Sequence, residues 1–162
     1  TGPELPGRPD HRRHPDLPKA IQLSKSVNAR YERYASVRRS MNDSDGVGYK
    51  RLRVWQETHT LVLAIYKTTK TFPKDELFGL TSQIRRAVVS VAANIVEGQA
   101  RASQKEFLQF LSIANGSLVE VEYYIQLTKD LDYIDSSQQL VLEKQAHFVG
   151  VLLHKFILAL RR

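Results

Sequence analysis

From Leu52 onward the apolar residues recur at intervals of three and four, the period of a helix with one buried face, and no stretch alternates convincingly as a half-buried strand does. Four helices are predicted. The first, over about residues 52–71, puts Trp55, Val62, Ile65, Tyr66 and Thr69 on one stripe, and Phe72-Pro73 stops it because a residue before proline avoids the α region. The second runs from Glu76 or Leu80 to Glu97 and buries Ile84, Val88, Val91 and Ile95, with Gly98 placed where a left-handed C-terminal cap is wanted. The third opens on Ser103-Gln104-Lys105-Glu106, a capping box, and carries Phe107, Phe110, Leu111, Ala114, Leu118, Val121, Ile125 and Leu131. Asp132-Tyr133-Ile134-Asp135 breaks that pattern. Asp135 or Ser136 can cap the fourth helix, with Gln138 or Gln139 in its third position, and Val141, Phe148, Leu152, Phe156 and Ala159 form its stripe. Short connections force neighbouring helices to run antiparallel, so the expected fold is all-α, an up-down-up-down four-helix bundle.

The chain ahead of this body is different. Five of the six prolines fall in the first twenty residues, which therefore cannot hold a packed element and read as disordered. A weak helical pattern follows, Leu23, Val27, Tyr31, Tyr34 and Val37, ringed by Lys25, Arg30, Arg33, Arg38 and Arg39. Two readings stay open for it: a basic amphipathic helix for RNA or a partner, or sequence upstream of a native start at Met41, the one methionine. Residues 41–48 are polar and glycine-containing, a linker. The domain organisation expected is a basic extension over 1–48 and a helical domain over 49–162.

Charge sharpens the division. Residues 1–40 hold nine Lys/Arg against four Asp/Glu, and residues 41–162 hold fifteen against thirteen, so the body is nearly neutral and the extension basic. The absence of cysteine removes disulfides, thiolate metal sites and cysteine nucleophiles, and suits a reducing cytoplasm. The longest uncharged apolar stretch, residues 87–96, is too short to cross a bilayer, so no membrane partner is expected.

Two helices are apolar over more than one stripe. Val149, Val151, Leu153, Ile157, Leu158 and Leu160 flank the fourth helix's stripe, and Ala87, Ser90, Ala92 and Ala93 accompany the second's. A wide apolar arc must be covered on both sides, and a subunit interface is the economical cover.

Catalysis finds no candidate constellation: there is no Gly-x-Ser-x-Gly elbow, no phosphate loop, and no serine with a recognisable base. His147 and His154 share a helix face with Glu143, and His59 is the one cross-helix candidate, but the spacing of a di-metal bundle site is absent. Neither a metal nor a cofactor is expected. Arg85, Arg86, Arg101 and Lys105, with Lys50, Arg51 and Arg53, are the densest cations of the body; the first four are the candidate nucleic-acid contacts, provided that they meet on one face. Asn94, Glu97, Asn115 and Ser117 read as a buried hydrogen-bond network, and Gly116 as a close approach of two helix backbones.

These residues also have a family look. Val54-Trp55-Gln56, Phe72-Pro73, Glu76-Leu77-Phe78-Gly79-Leu80-Thr81-Ser82-Gln83-Ile84-Arg85-Arg86-Ala87, Asn94-Ile95-Val96-Glu97-Gly98, Arg101, Ser103, Glu106-Phe107, Phe110-Leu111, Ala114-Asn115-Gly116-Ser117-Leu118, Glu120 and Glu122 resemble the bacterial four-helix bundle protein family, also called the 23S rRNA intervening-sequence protein family. The match spans about 49–160. Members usually begin shortly before the position of Tyr49, which favours Met41 as the start, and Val91-Ala92 stands where relatives often have a proline in the second place. The resemblance implies a four-helix bundle in a ring-like homo-oligomer, a pentamer, linked to insertions in 23S rRNA genes. It also implies a likeness in fold to the accessory variability protein of diversity-generating retroelements, which binds a reverse transcriptase and nucleic acid.

Two functions follow from the residues and the resemblance: a non-enzymatic nucleic-acid-binding accessory module acting through Arg85, Arg86, Arg101 and Lys105, or a protein-interaction scaffold without direct RNA binding. Clustering of those four cations favours the first and dispersal the second.

Overall fold

The computed structural model describes residues 48–161. The Pro-rich basic extension, its weak helical pattern and the start at Met41 lie outside the described residues. Four helices follow in order, α1 (Arg53–Thr68), α2 (Leu80–Ala100), α3 (Gln104–Asp130) and α4 (Ser136–Arg161), with no strand among the described residues. Short 3-10 turns precede α1 (Gly48–Arg51), extend it (Thr69–Thr71) and fill part of the loop before α2 (Lys74–Glu76). The most extensive contact is α2 on α3; α3 on α4, α1 on α2 and α1 on α4 complete the ring of neighbours. The fold is an all-α, up-down-up-down antiparallel four-helix bundle.

Each helix gives the core one line of residues at three- and four-residue spacing. α2 gives Ile84, Val88, Val91 and Ile95, and α3 gives Phe107, Leu111, Ala114, Leu118, Val121 and Ile125, all buried. Both lines agree with the sequence pattern, except that Phe110 is half-buried and Leu131, past the end of α3, is exposed. In α1 the buried line is Val54, Thr58, Leu61 and Ile65; of the expected stripe Ile65 and Thr69 are buried, while Trp55 and Val62 are half-buried and Tyr66 is exposed. Thr58 hides the true line: its hydroxyl is fully buried yet satisfied, donating to the Val54 carbonyl at 2.6 Å. In α4 the line is Leu142, Ala146, Val149, Leu153 and Leu160, again one residue from the expected stripe, and Val141 and Ala159 face solvent. A helix apolar on several faces does not announce which face wins.

The helix ends follow local chemistry. Phe72 is extended ahead of Pro73, as the proline demands. Ser103 and Glu106 form the full capping box of α3, and at α4 the Asp135 carboxylate accepts from the Gln138 amide at 2.8 Å while the Gln138 side chain accepts from the Asp135 amide at 3.0 Å. α3 closes through Asp132 at φ 56, with the Tyr133 amide reaching back to the Thr128 carbonyl at 2.9 Å.

Two glycines exchange roles. Gly98 does not cap α2, which continues to Ala100; it is buried inside the helix, where a Cβ would lie 2.7 Å from both Phe107 Cδ2 and Phe110 Cβ. Gly116 does not serve a close approach: it is exposed, with nothing within 4 Å of a Cβ, because it stands opposite the α3 core line.

Gly98→Ala should therefore destabilise the bundle by about 1–3 kcal/mol through overpacking, whereas Gly116→Ala should stabilise it by about 0.5–1 kcal/mol through helix propensity. Urea unfolding of both variants checks the opposite signs. The caps yield a second expectation. Glu106 is held below its usual pKa first by the Ser103 hydroxyl, and Asp135 first by the Ser137 hydroxyl and then by the Gln138 amide. A carboxyl with a lower folded than unfolded pKa stabilises above the unfolded value, and that contribution is lost as pH falls through the folded one. Thermal melts below about pH 4 should fall less steeply for Glu106→Gln with Asp135→Asn than for wild type.

Candidate functional site

The four candidate cations are held by α2 and the turn that follows it. Arg85 and Arg86 lie in the second turn of α2 and Arg101 just past its end, so about 24 Å of helix axis at 1.5 Å per residue separates the pairs. They do not form one patch within a protomer. Two of them are also engaged at home. Arg85 donates through Nε to Thr69 Oγ1 at 2.8 Å, its guanidinium lies 4.9 Å over the Tyr66 ring, and Thr69 in turn donates to the Ile65 carbonyl at 2.8 Å. Arg101 lies 4.6 Å over the Phe110 ring and pairs with Glu97 one turn back. Arg86 and Lys105 are exposed. Arg86 lines a shallow depression of about 400 Å³ with Gln83, Ser90 and Glu120, so an anion there also meets a carboxylate.

The polar network is smaller than the sequence suggests. The hydroxyls of Ser90 and Ser117 share a 2.8 Å hydrogen bond across α2 and α3, and Asn94 donates to the Ser90 carbonyl at 2.8 Å. Glu97 faces outward to Arg101, and Asn115 is exposed, so neither belongs to it. Its role is register: a hydroxyl pair between two helices is satisfied in one alignment.

Sequence reasoning missed two features. One is an aromatic row on the outer flank of α1, where Tyr49 meets Trp55 edge-on at 4.9 Å and Trp55 stacks on His59 at 5.1 Å. Trp55, His59, Val62 and Tyr66 do have helical spacing, but that spacing was consumed by the core reading. The other is the loop before α2. Glu76 accepts from the Leu80 amide at 2.9 Å and from the Tyr133 hydroxyl at 3.1 Å, joining the α1–α2 loop to the α3–α4 turn. Partial burial and the nearby Glu76 carboxylate push the Tyr133 phenol up, which keeps it a donor. A Cβ at Gly79 would sit 2.5 Å from Glu76 Oε2, so the spacing of Glu76 and Gly79 is what lets this bridge form.

Among the described residues no group of three or more His, Cys, Asp or Glu is placed to hold a metal ion. His59 is spent on Trp55, while His147 and His154 border an open groove of about 290 Å³ with Glu122 and Lys155. No helix among the described residues is long and apolar enough to cross a membrane.

The comparisons with known proteins agree with the geometry. A family model described as 23S rRNA-intervening sequence protein matches residues 50–155. A crystal structure of a protein of unknown function from the S23 ribosomal protein family of Bacteroides thetaiotaomicron is similar, with a TM-score of 0.60 and 26% identity over 64% of this chain and 94% of that one. No curated protein matches.

Replacing Arg85 with Ala should cost about 1 kcal/mol, the worth of one hydrogen bond plus partial cation–π stacking, while Arg86→Ala leaves stability unchanged. The midpoint of urea unfolding at constant slope distinguishes the two.

Proposed function

We propose a function for a chain that belongs to the 23S rRNA-intervening sequence protein family: it works by binding rather than catalysis, as a homo-oligomeric scaffold of the bacterial cytoplasm that brings proteins together. The observation that carries this reading is the apolar character of its exposed surface. Phe78 is 90% exposed, Val141 64% and Tyr123 60%, with Leu63, Val119 and Leu77 all above half. Val149, Leu153 and Leu160 of the wide arc expected on α4 are buried in the chain's own core, but a bare phenylalanine at a loop tip and the exposed Leu140-Val141 pair at the start of α4 suit contact with another protein. The dispersal of Arg85 and Arg86 from Arg101 and Lys105 within the protomer supports the same reading. A ring of five copies, as the family resemblance implies, would cover much of this surface, and a reverse transcriptase is one class of further partner.

One observation favours a second reading. Arg86 and Lys105 are both exposed, the first along α2 and the second at the start of α3, and a cyclic assembly would repeat each of them around its axis, which multiplies weak phosphate contacts. RNA binding of this kind is electrostatic and blind to sequence.

Sedimentation equilibrium of the full chain at micromolar concentration should give a single species well above monomer mass, and a monomer overturns the scaffold reading. For RNA, the full chain and its Arg85, Arg86, Arg101 and Lys105 quadruple alanine variant carry the same basic extension, so their difference isolates the body. Equal affinity for 23S rRNA fragments at low salt rejects the second reading; a loss shared by all RNA sequences, with a shallower salt dependence, supports it.

A further inference from the structure

The α1–α2 loop and a groove at the same end of the bundle are chemically matched. Leu77 and Phe78 project from the loop, 51% and 90% exposed, yet their backbone is fixed. The Leu77 amide donates to the Lys74 carbonyl at 3.1 Å, the Gly79 amide to the Glu76 carbonyl at 3.1 Å, and the Glu76 side chain is bonded to both Leu80 and Tyr133. An apolar knob held this way loses little freedom when it is buried.

Between the last turns of α1 and the first turns of α4 runs a groove of about 480 Å³, mostly apolar, with Ala64, Val141 and Leu142 among its walls and Lys67, Thr68 and Gln138 bringing polar groups to it. That volume lies within the range, about 300–1,000 Å³, of pockets that take ring-sized groups. The groove includes Thr71 and Ser137, so it sits at the same end of the bundle as the knob. Phe78, being 90% exposed, does not fill the groove of its own chain.

We infer that the Leu77-Phe78 knob of one copy seats in the α1–α4 groove of the next. The occupant is a second copy of this chain because both halves of the contact are present at one end of the bundle and because their net charges are opposite. Asp75 and Glu76 outweigh Lys74 at the base of the knob, while Lys67 lines the groove and Asp135 at its edge is already bonded to Ser137 and Gln138. Two different patches in contact make a heterologous interface, which closes into a ring where the rotation from copy to copy closes. This contact rests on the homo-oligomer proposed above and names its interface.

The test uses the full chain. Phe78→Ser removes an exposed side chain and should keep the wild-type thermal melt at low concentration, while sedimentation shifts toward monomer at concentrations where wild type is assembled. The chain has no cysteine, so Phe78→Cys protein mixed with Val141→Cys protein should give disulfide-linked dimers under mild oxidation that neither gives alone. Wild type at monomer mass overturns the assembly reading, and this contact with it. Assembled wild type with equally assembled Phe78→Ser, or with no mixed disulfide, overturns this contact alone and leaves the scaffold reading standing.

Discussion

The close approach of α2 and α3 at Gly98 is the constraint on which the rest of the bundle depends. Without a side chain there, the ring of Phe107 and the Cβ of Phe110 lie close on the α2 backbone, and the two helices share the largest contact in the fold. Phe107 then reaches α4, meeting Phe156 edge to face at 5.5 Å. Phe110, turned the other way, supports the guanidinium of Arg101. One missing methyl group thus sets helix spacing, ties a third helix in, and decides how a surface cation is held.

The same economy explains why the cations of this body are poor guides to its partners. Arg53, Arg85 and Arg101 each lie over an aromatic ring, of Phe148, Tyr66 and Phe110 in turn. Planar guanidinium groups cover apolar edges that water would otherwise meet, and still keep their charge in solvent. A phosphate approaching Arg85 or Arg101 meets guanidinium edges already shared with Thr69 or Glu97. Counting arginines in the sequence therefore overstates the positive surface offered to a ligand, whereas the ungated apolar surface of Phe78 and Val141 carries no such internal partner.

Much of the fold was legible because α2 and α3 each have a single apolar line, and because Ser103, Glu106, Asp135 and Pro73 punctuate the chain by local chemistry alone. α1 and α4 were misread by about one residue for a shared reason: apolar residues on neighbouring faces compete in the pattern, and a buried threonine or alanine weakens the true line. The glycines could not be told apart, since a helical glycine looks alike in sequence whether a partner helix or open solvent faces it. The four cations were identifiable as residues, but their separation and their aromatic supports are properties of three dimensions. The family strings around Phe78-Gly79 and Asn94-Ile95 located the segments that matter without saying what Glu76, Gly79 or Gly98 do there.

The seam between α1 and α4 differs from every other neighbour contact in the bundle, for it alone joins helices remote in sequence. Hairpins α1–α2, α2–α3 and α3–α4 close over short turns, but this seam must enclose α2 and α3 and bears the greater loop-closure entropy. The seam is therefore the pairing that closes the longest stretch of chain in this fold. Beyond the shared core, the Gln145 side chain donates across it to the Glu57 carbonyl at 3.1 Å, and Arg53 lies over Phe148. A neighbour seated there as proposed would act as a latch on folding itself, and by mass action the concentration of the chain would then enter its own resistance to unfolding.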